Sequence, residues 1–111
     1  MTKNYQTSAG IDIGKSFLDL YHQPLKKWER FANSPEGIDQ IISFFKTKPV
    51  DCIVFEPSGG YERKLKDRMM RENLPFCMAH TLHVRGFARA LKKLAKTDSI
   101  DAFVLSEYGL K

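Results

Sequence analysis

The chain of 111 residues predicts an α/β domain on one mixed sheet, three antiparallel strands plus two parallel strands, flanked by helices. Three observations carry this. Three short apolar stretches with tight links fill residues 8–32, two isolated apolar runs follow near 51–56 and 75–79, and segments of helical period separate and close them. The order reads βββαβαβα, and right-handed crossovers lay the fourth strand beside the first and parallel to it.

Each element has its own warrant. Residues 8–13 (Ser-Ala-Gly-Ile-Asp-Ile) form a first strand ended by Gly14, and 16–22 and 27–32 continue it as an antiparallel meander. Ser34-Pro35-Glu36 is a helix start: a capping hydroxyl, a proline suited to the first turn, and an acid at the positive dipole end. Ile38, Ile41, Ile42 and Phe45 give that helix its apolar stripe, and Pro49 stops it. Residues 51–56 are continuously apolar after Asp51, the mark of a strand covered on both faces. A Pro-Ser-Gly-Gly loop leads into a helix over 61–73, then a short strand over 75–79. A long amphipathic helix is expected over 82–95, and a last one capped by Thr97 or Asp98 and ending at Tyr108 or Gly109.

Size and composition limit the alternatives. A chain of 111 residues supports one core, so residues 1–111 are read as a single domain. No apolar run approaches the roughly 20 residues that span a bilayer, and no signal-peptide pattern opens the chain, so a cytoplasmic location without membrane contact is expected. Cys52 and Cys77 lack metal-ligand spacing and fall in apolar stretches, which reads as two reduced core thiols. His22, His80 and His83 are scattered and read as structural or exposed, while Trp28 and Tyr61 read first as packing residues rather than base-stacking ones.

The net charge of +5 is unevenly spread. Residues 61–96 hold ten Lys or Arg against three acids, a balance of +7, and the rest carries eight against ten, a balance of −2. Arg85, Arg89, Lys92, Lys93 and Lys96 share one broad side of the expected long helix, with no acid between Glu72 and Asp98. Solvated helix faces normally mix both signs, so this one is read as a nucleic-acid contact. Lys15 and the Ser58-Gly59 turn are further candidates for holding phosphate, against the plainer readings of a solvated lysine and a strand–helix turn.

The acids point to chemistry. Asp12 lies in Gly-Ile-Asp-Ile-Gly, Glu56 closes Cys-Ile-Val-Phe-Glu, and Asp98 and Asp101 have helical i,i+3 spacing in Thr-Asp-Ser-Ile-Asp. Crossovers of one hand bring Asp12 and Glu56 to the carboxyl ends of neighbouring parallel strands, where α/β proteins place ligands. Carboxylates held against a core need a cation, and four of them without His or Cys select Mg²⁺ or Mn²⁺ over zinc. Two such ions serve phosphodiester cleavage. The plain alternative makes Asp98 and Asp101 helix caps and Asp12 a turn residue.

The Gly-Ile-Asp-Ile-Gly-Lys opening, the Phe-Glu-Pro-Ser-Gly-Gly-Tyr-Glu segment and the Lys-Thr-Asp-Ser-Ile-Asp-Ala segment together resemble the amino-terminal domain of DEDD transposases, which include the Piv-type DNA invertases. The resemblance spans essentially the whole chain. It implies a RuvC-like, ribonuclease H-like fold, with Asp12, Glu56, Asp98 and Asp101 as the catalytic and metal-binding tetrad. It also implies DNA of insertion-sequence or invertible-element ends as partner, a structured guide RNA for some members, and a homo-oligomer of the full-length protein. Full-length relatives carry a further carboxy-terminal domain bearing a serine, so the chain is expected to be an isolated domain of such a protein.

Two other functions compete with metal-dependent strand cleavage or transfer. Asp12-Ile13-Gly14 also suits the first phosphate hairpin of an actin-like ATPase, although 111 residues leave no room for its second lobe. A non-catalytic nucleic-acid or assembly module would keep the basic helix and use the acids structurally.

Overall fold

Alternation along Ser8-Ala-Gly-Ile-Asp-Ile produces β1 (Ser8–Ile13), which pairs antiparallel with β2 (Phe17–His22), itself antiparallel to β3 (Lys27–Ala32). The computed structural model describes residues 6–79 and 102–110. After the meander come α1 (Pro35–Thr47), β4 (Cys52–Phe55), α2 (Arg63–Arg71), β5 (Phe76–Met78) and α3 (Ala102–Tyr108). Strand order is β3-β2-β1-β4-β5, with β4 parallel to both β1 and β5. The expected mixed sheet is therefore present, and β1 is its centre.

Local chemistry fixes the helices. The Ser34 hydroxyl accepts from the Gly37 N–H at 3.2 Å, Pro35 opens α1 and Glu36 lies in its first turn. Helix α2 is mostly charged and is anchored through Leu65 and Met69. Arg68 bridges Asp39 of α1 and Glu72, and Lys46 reaches Glu72 at 2.7 Å, so ion pairs brace the two helices against each other. Asn73 ends α2 in the left-handed region (φ 56°), which asparagine tolerates.

The sheet separates two apolar layers. Ala9, Ile11, Leu18, Leu20, Phe31, Ile53 and Phe55 pack with α1 and α2 on one face. On the other, Cys52 and Val54 pack with Val104 and Leu105 of α3. The central strands are thus covered on both sides, which explains the unbroken burial of Cys52–Phe55.

Position in the fold corrects three side-chain expectations. Cys52 is buried and its thiol is pushed up to about 11 by desolvation, but Cys77 is exposed, because β5 is an edge strand. Trp28, on the opposite edge strand, touches Tyr21 yet stays 51% exposed, and Tyr61 precedes α2 rather than packing within it and is 47% exposed. The expected helix over 82–95 and the start of the last helix lie outside the described residues, while the end of α3 at Tyr108 matches expectation. No helix among the described residues is long and apolar enough to cross a membrane.

His22 is a structural residue. It is buried, accepts from the Leu25 N–H through Nδ1, and its Nε2 lies 3.3 Å from the Lys48 carbonyl, which requires the neutral Nε2–H tautomer. Desolvation lowers its pKa from 6.5, with the nearby Lys48 charge adding to the effect and the Lys48 carbonyl opposing it. A lowered folded-state pKa means stability is complete above the unfolded value and is lost as pH falls through the folded one. The melting temperature should therefore decline as pH drops below 6.5, and His22→Gln should flatten that decline. An unchanged slope in the variant would assign the loss to other groups.

Candidate active site

Asp12 is the fifth residue of β1, and Glu56 follows the last residue of β4. The parallel register pairs Gly10 with Val54, and two steps along each strand from that pair reach Asp12 and Glu56. Side chains alternate along a strand, so both acids share the face of Gly10 and Val54. That face belongs to α3. A Cβ on Gly10 would collide with the Ala102 carbonyl oxygen, and one on Gly109 would lie 2.7 Å from Cγ2 of Val54.

Small residues make this approach possible. Gly10 has no side chain to hold the helix off, and the buried Ser8 hydroxyl donates to the Ser106 carbonyl. Phe103 meets Tyr21 edge-on at 5.2 Å, and the Gln23 side chain donates to Glu107 at 3.3 Å. Helix α3 therefore runs antiparallel to β1, with Ala102 nearest the Asp12 end and Gly109 near Ser8. Both acids are half-buried, and Oε2 of Glu56 is shielded from solvent.

Asp12 faces a third carboxylate. The β1–β2 register sets it directly opposite Asp19, and like charges so placed repel. Arg30, opposite Asp19 on β3, takes up that charge through Nε to Oδ1 at 2.7 Å and Nη2 to Oδ2 at 3.2 Å. Its guanidinium also lies 4.6 Å from the Phe17 ring centroid. Sequence reasoning missed Asp19 and Arg30; the tight turn after Gly14 sets the register that would have revealed them.

The Ser58–Gly60 turn holds an anion of its own. The Ser58 and Gly60 N–H groups donate to Oε1 of Glu62 at 3.0 and 3.2 Å, and the Ser58 hydroxyl lies 3.4 Å from the same atom. The Ser58 N–H is the largest cause holding the Glu62 carboxyl below its usual range. Gly59, with φ +70°, has open space where a Cβ would be. Glu62 was not among the sequence candidates, since an acid after Gly-Gly-Tyr looks like an ordinary helix start. Lys15 is exposed in the β1–β2 turn. Asn33 joins that turn to the other one, its amide donating to the Gly14 carbonyl at 2.9 Å and the Tyr61 carbonyl at 3.1 Å.

Asp98 and Asp101 lie outside the described residues, as do Arg85, Arg89, Lys92, Lys93, Lys96, His80 and His83. Among the described residues, no three potential metal-ligating side chains gather.

A central strand between an antiparallel hairpin and a parallel partner, with two crossover helices on one face and a helix on the other, defines a ribonuclease H-like domain of the RuvC type. A sequence profile described as a transposase, of the DEDD type, matches residues 9–111, and the chain belongs to that family. It is also 26% identical over 117 aligned positions to the pilin gene-inverting protein of Moraxella lacunata, and equally to that of Moraxella bovis. In both cases the whole chain is covered, but it spans only 35% of the relative's length.

Proposed function

We propose that the chain is the metal-dependent DNA-processing domain of a transposase or site-specific invertase, acting in strand cleavage or transfer at the ends of a mobile or invertible element. The observation that carries this is the pairing of Asp12 and Glu56 on one face at the ends of adjacent parallel strands, with the last helix beginning over the same strand. Asp101 immediately precedes Ala102 in the sequence, and Asp98 stands three residues before it. Membership of the DEDD transposase family supports giving all four acids one task.

The donor set fits Mg²⁺ or Mn²⁺, since it is made of carboxylate oxygens with no thiolate or imidazole. Asp12, Glu56, Asp98 and Asp101 would hold two such ions, which when bound polarise the phosphodiester and activate the attacking oxygen. The chain's own part is to hold like charges close before any cation arrives. Arg30 serves this end by balancing Asp19, the carboxylate that stands across from Asp12 at the centre of the sheet. Lys15, with the basic run Arg85, Arg89, Lys92, Lys93 and Lys96, is assigned to the DNA; Ser58 and Gly59 join them only if phosphate displaces the Glu62 carboxylate from the Ser58 and Gly60 N–H groups.

Thermal melting in Mn²⁺ or Mg²⁺ tests the reading. Either ion should raise the melting temperature, and Asp12→Asn, which keeps the side chain's size and one acceptor oxygen, should remove that response. Absence of any metal response alongside salt-sensitive DNA binding would replace the catalytic reading with a binding module. A shift with ATP alone would favour the nucleotide-hydrolase reading.

A further inference from the structure

Beside the carboxylate face, Lys15, Asn33, Gly60, Tyr61 and Lys64 line a hollow of about 140 Å³. Its walls are the two turns that leave the carboxyl ends of β1 and β4, and the Asn33 amide fastens one to the other. The hollow therefore has a fixed floor at the same end of the sheet as Asp12 and Glu56. Lys15 is three residues beyond Asp12, and Tyr61 five beyond Glu56.

Charge around this hollow is one-sided. Lys15, Arg63 and Lys64 are exposed, and Nη2 of Arg63 lies 4.0 Å from where a Cβ on Gly60 would be. None of the three enters an ion pair among the described residues, whereas Lys46 and Arg68 are held by Glu72 and Asp39. The acid in the loop is Glu62, and its carboxylate is turned into the Ser58 and Gly60 N–H groups. Around the hollow itself three cations stand against the one acid Glu62, with Asp67 beside Lys64 only in a separate groove, and the surplus is one that an anion would balance. Tyr61 adds an exposed ring to the same wall. Cations beside an exposed aromatic face match a nucleotide, whose phosphate needs the first and whose base needs the second.

We propose that this hollow seats one nucleotide of an unpaired DNA strand, its phosphate between Lys15 and Lys64 and its base against Tyr61. The inference rests on the DNA-processing reading, and it adds that the strand crossing the carboxylates is held single. A duplex keeps its bases inside and offers Tyr61 nothing to stack on.

Fluorescence anisotropy of a short labelled single strand, and of the matching duplex, over a salt series in EDTA provides the test. Lys15→Gln with Lys64→Gln should lower the log–log salt slope for the single strand by about 0.7, the amount for the one seated phosphate that is no longer neutralised. Tyr61→Ala should weaken the single strand about tenfold and leave the duplex unchanged, while Tyr61→Phe should bind as the parent does. All three positions are exposed, and unchanged melting temperatures would show the variants folded. An unaltered slope in the lysine pair, or equal losses for strand and duplex on Tyr61→Ala, overturns the proposal. The two readings fail separately. If Mn²⁺ shifts nothing while strand binding follows Lys15, Lys64 and Tyr61, the catalytic reading falls and the seat stands. If Mn²⁺ stabilises the protein and these variants bind normally, the seat falls alone.

Discussion

Gly10→Ala should be among the most damaging single changes in this chain, lowering stability by about 3 kcal/mol, the upper part of the range for overpacking. The added methyl would collide with the Ala102 carbonyl oxygen and lie 2.6 Å from the Ser106 nitrogen and 2.8 Å from Cβ of Leu105. Two of these neighbours are helix backbone, so no rotamer change makes room; α3 as a whole must lift. Against a typical total of about 5–15 kcal/mol, the loss would be plain in urea unfolding. The variant should also lose its melting response to Mn²⁺, because the helix that opens beside Asp12 would no longer be seated. A Gly10→Ala protein with the parent's urea midpoint would mean that α3 does not lie on β1.

Phe55→Ala should cost about 3–5 kcal/mol, as large aromatic truncations in cores do. Phe55 is fully buried and stacks on Phe76, with ring centroids 5.7 Å apart and planes at 17°. The cavity would open directly before Glu56, under the layer shared with Leu65 and Met69 of α2. Phe55→Leu, which keeps most of the volume, should lose markedly less. A chemical-denaturation series that found the two variants equal would show that the Phe55 ring is not packed against Phe76 and the α2 layer.

These two residues also mark what a reader of the sequence could and could not see. Phe55 announces its role, since Cys-Ile-Val-Phe is an unbroken apolar run and such runs are buried strands. The meander, the capped α1 and the position of β4 beside β1 followed from pattern, turn chemistry and crossover rules. Gly10 looked like part of a motif around Asp12, and its packing role emerged only with α3 lying across it. Which face a seven-residue helix covers is not encoded in its own period. Edge position was equally hidden: Trp28 and Cys77 sit in strand-like stretches, and only the strand order shows that each lies on an outer strand. Half of the candidate tetrad, Asp12 and Glu56, is brought to one face, and the pair at 98 and 101 lies outside the described residues. Glu62 and Arg30 escaped notice because each acts through a partner fixed by strand register or turned back on its own loop.

The contact between Arg30 and Asp19 has a reach beyond its own two side chains. Because Asp19 stands across from Asp12, the electrostatic load on the middle strand is governed from the rim of the sheet. A change at Arg30, on an outer strand, would alter how strongly the centre of the molecule attracts a cation.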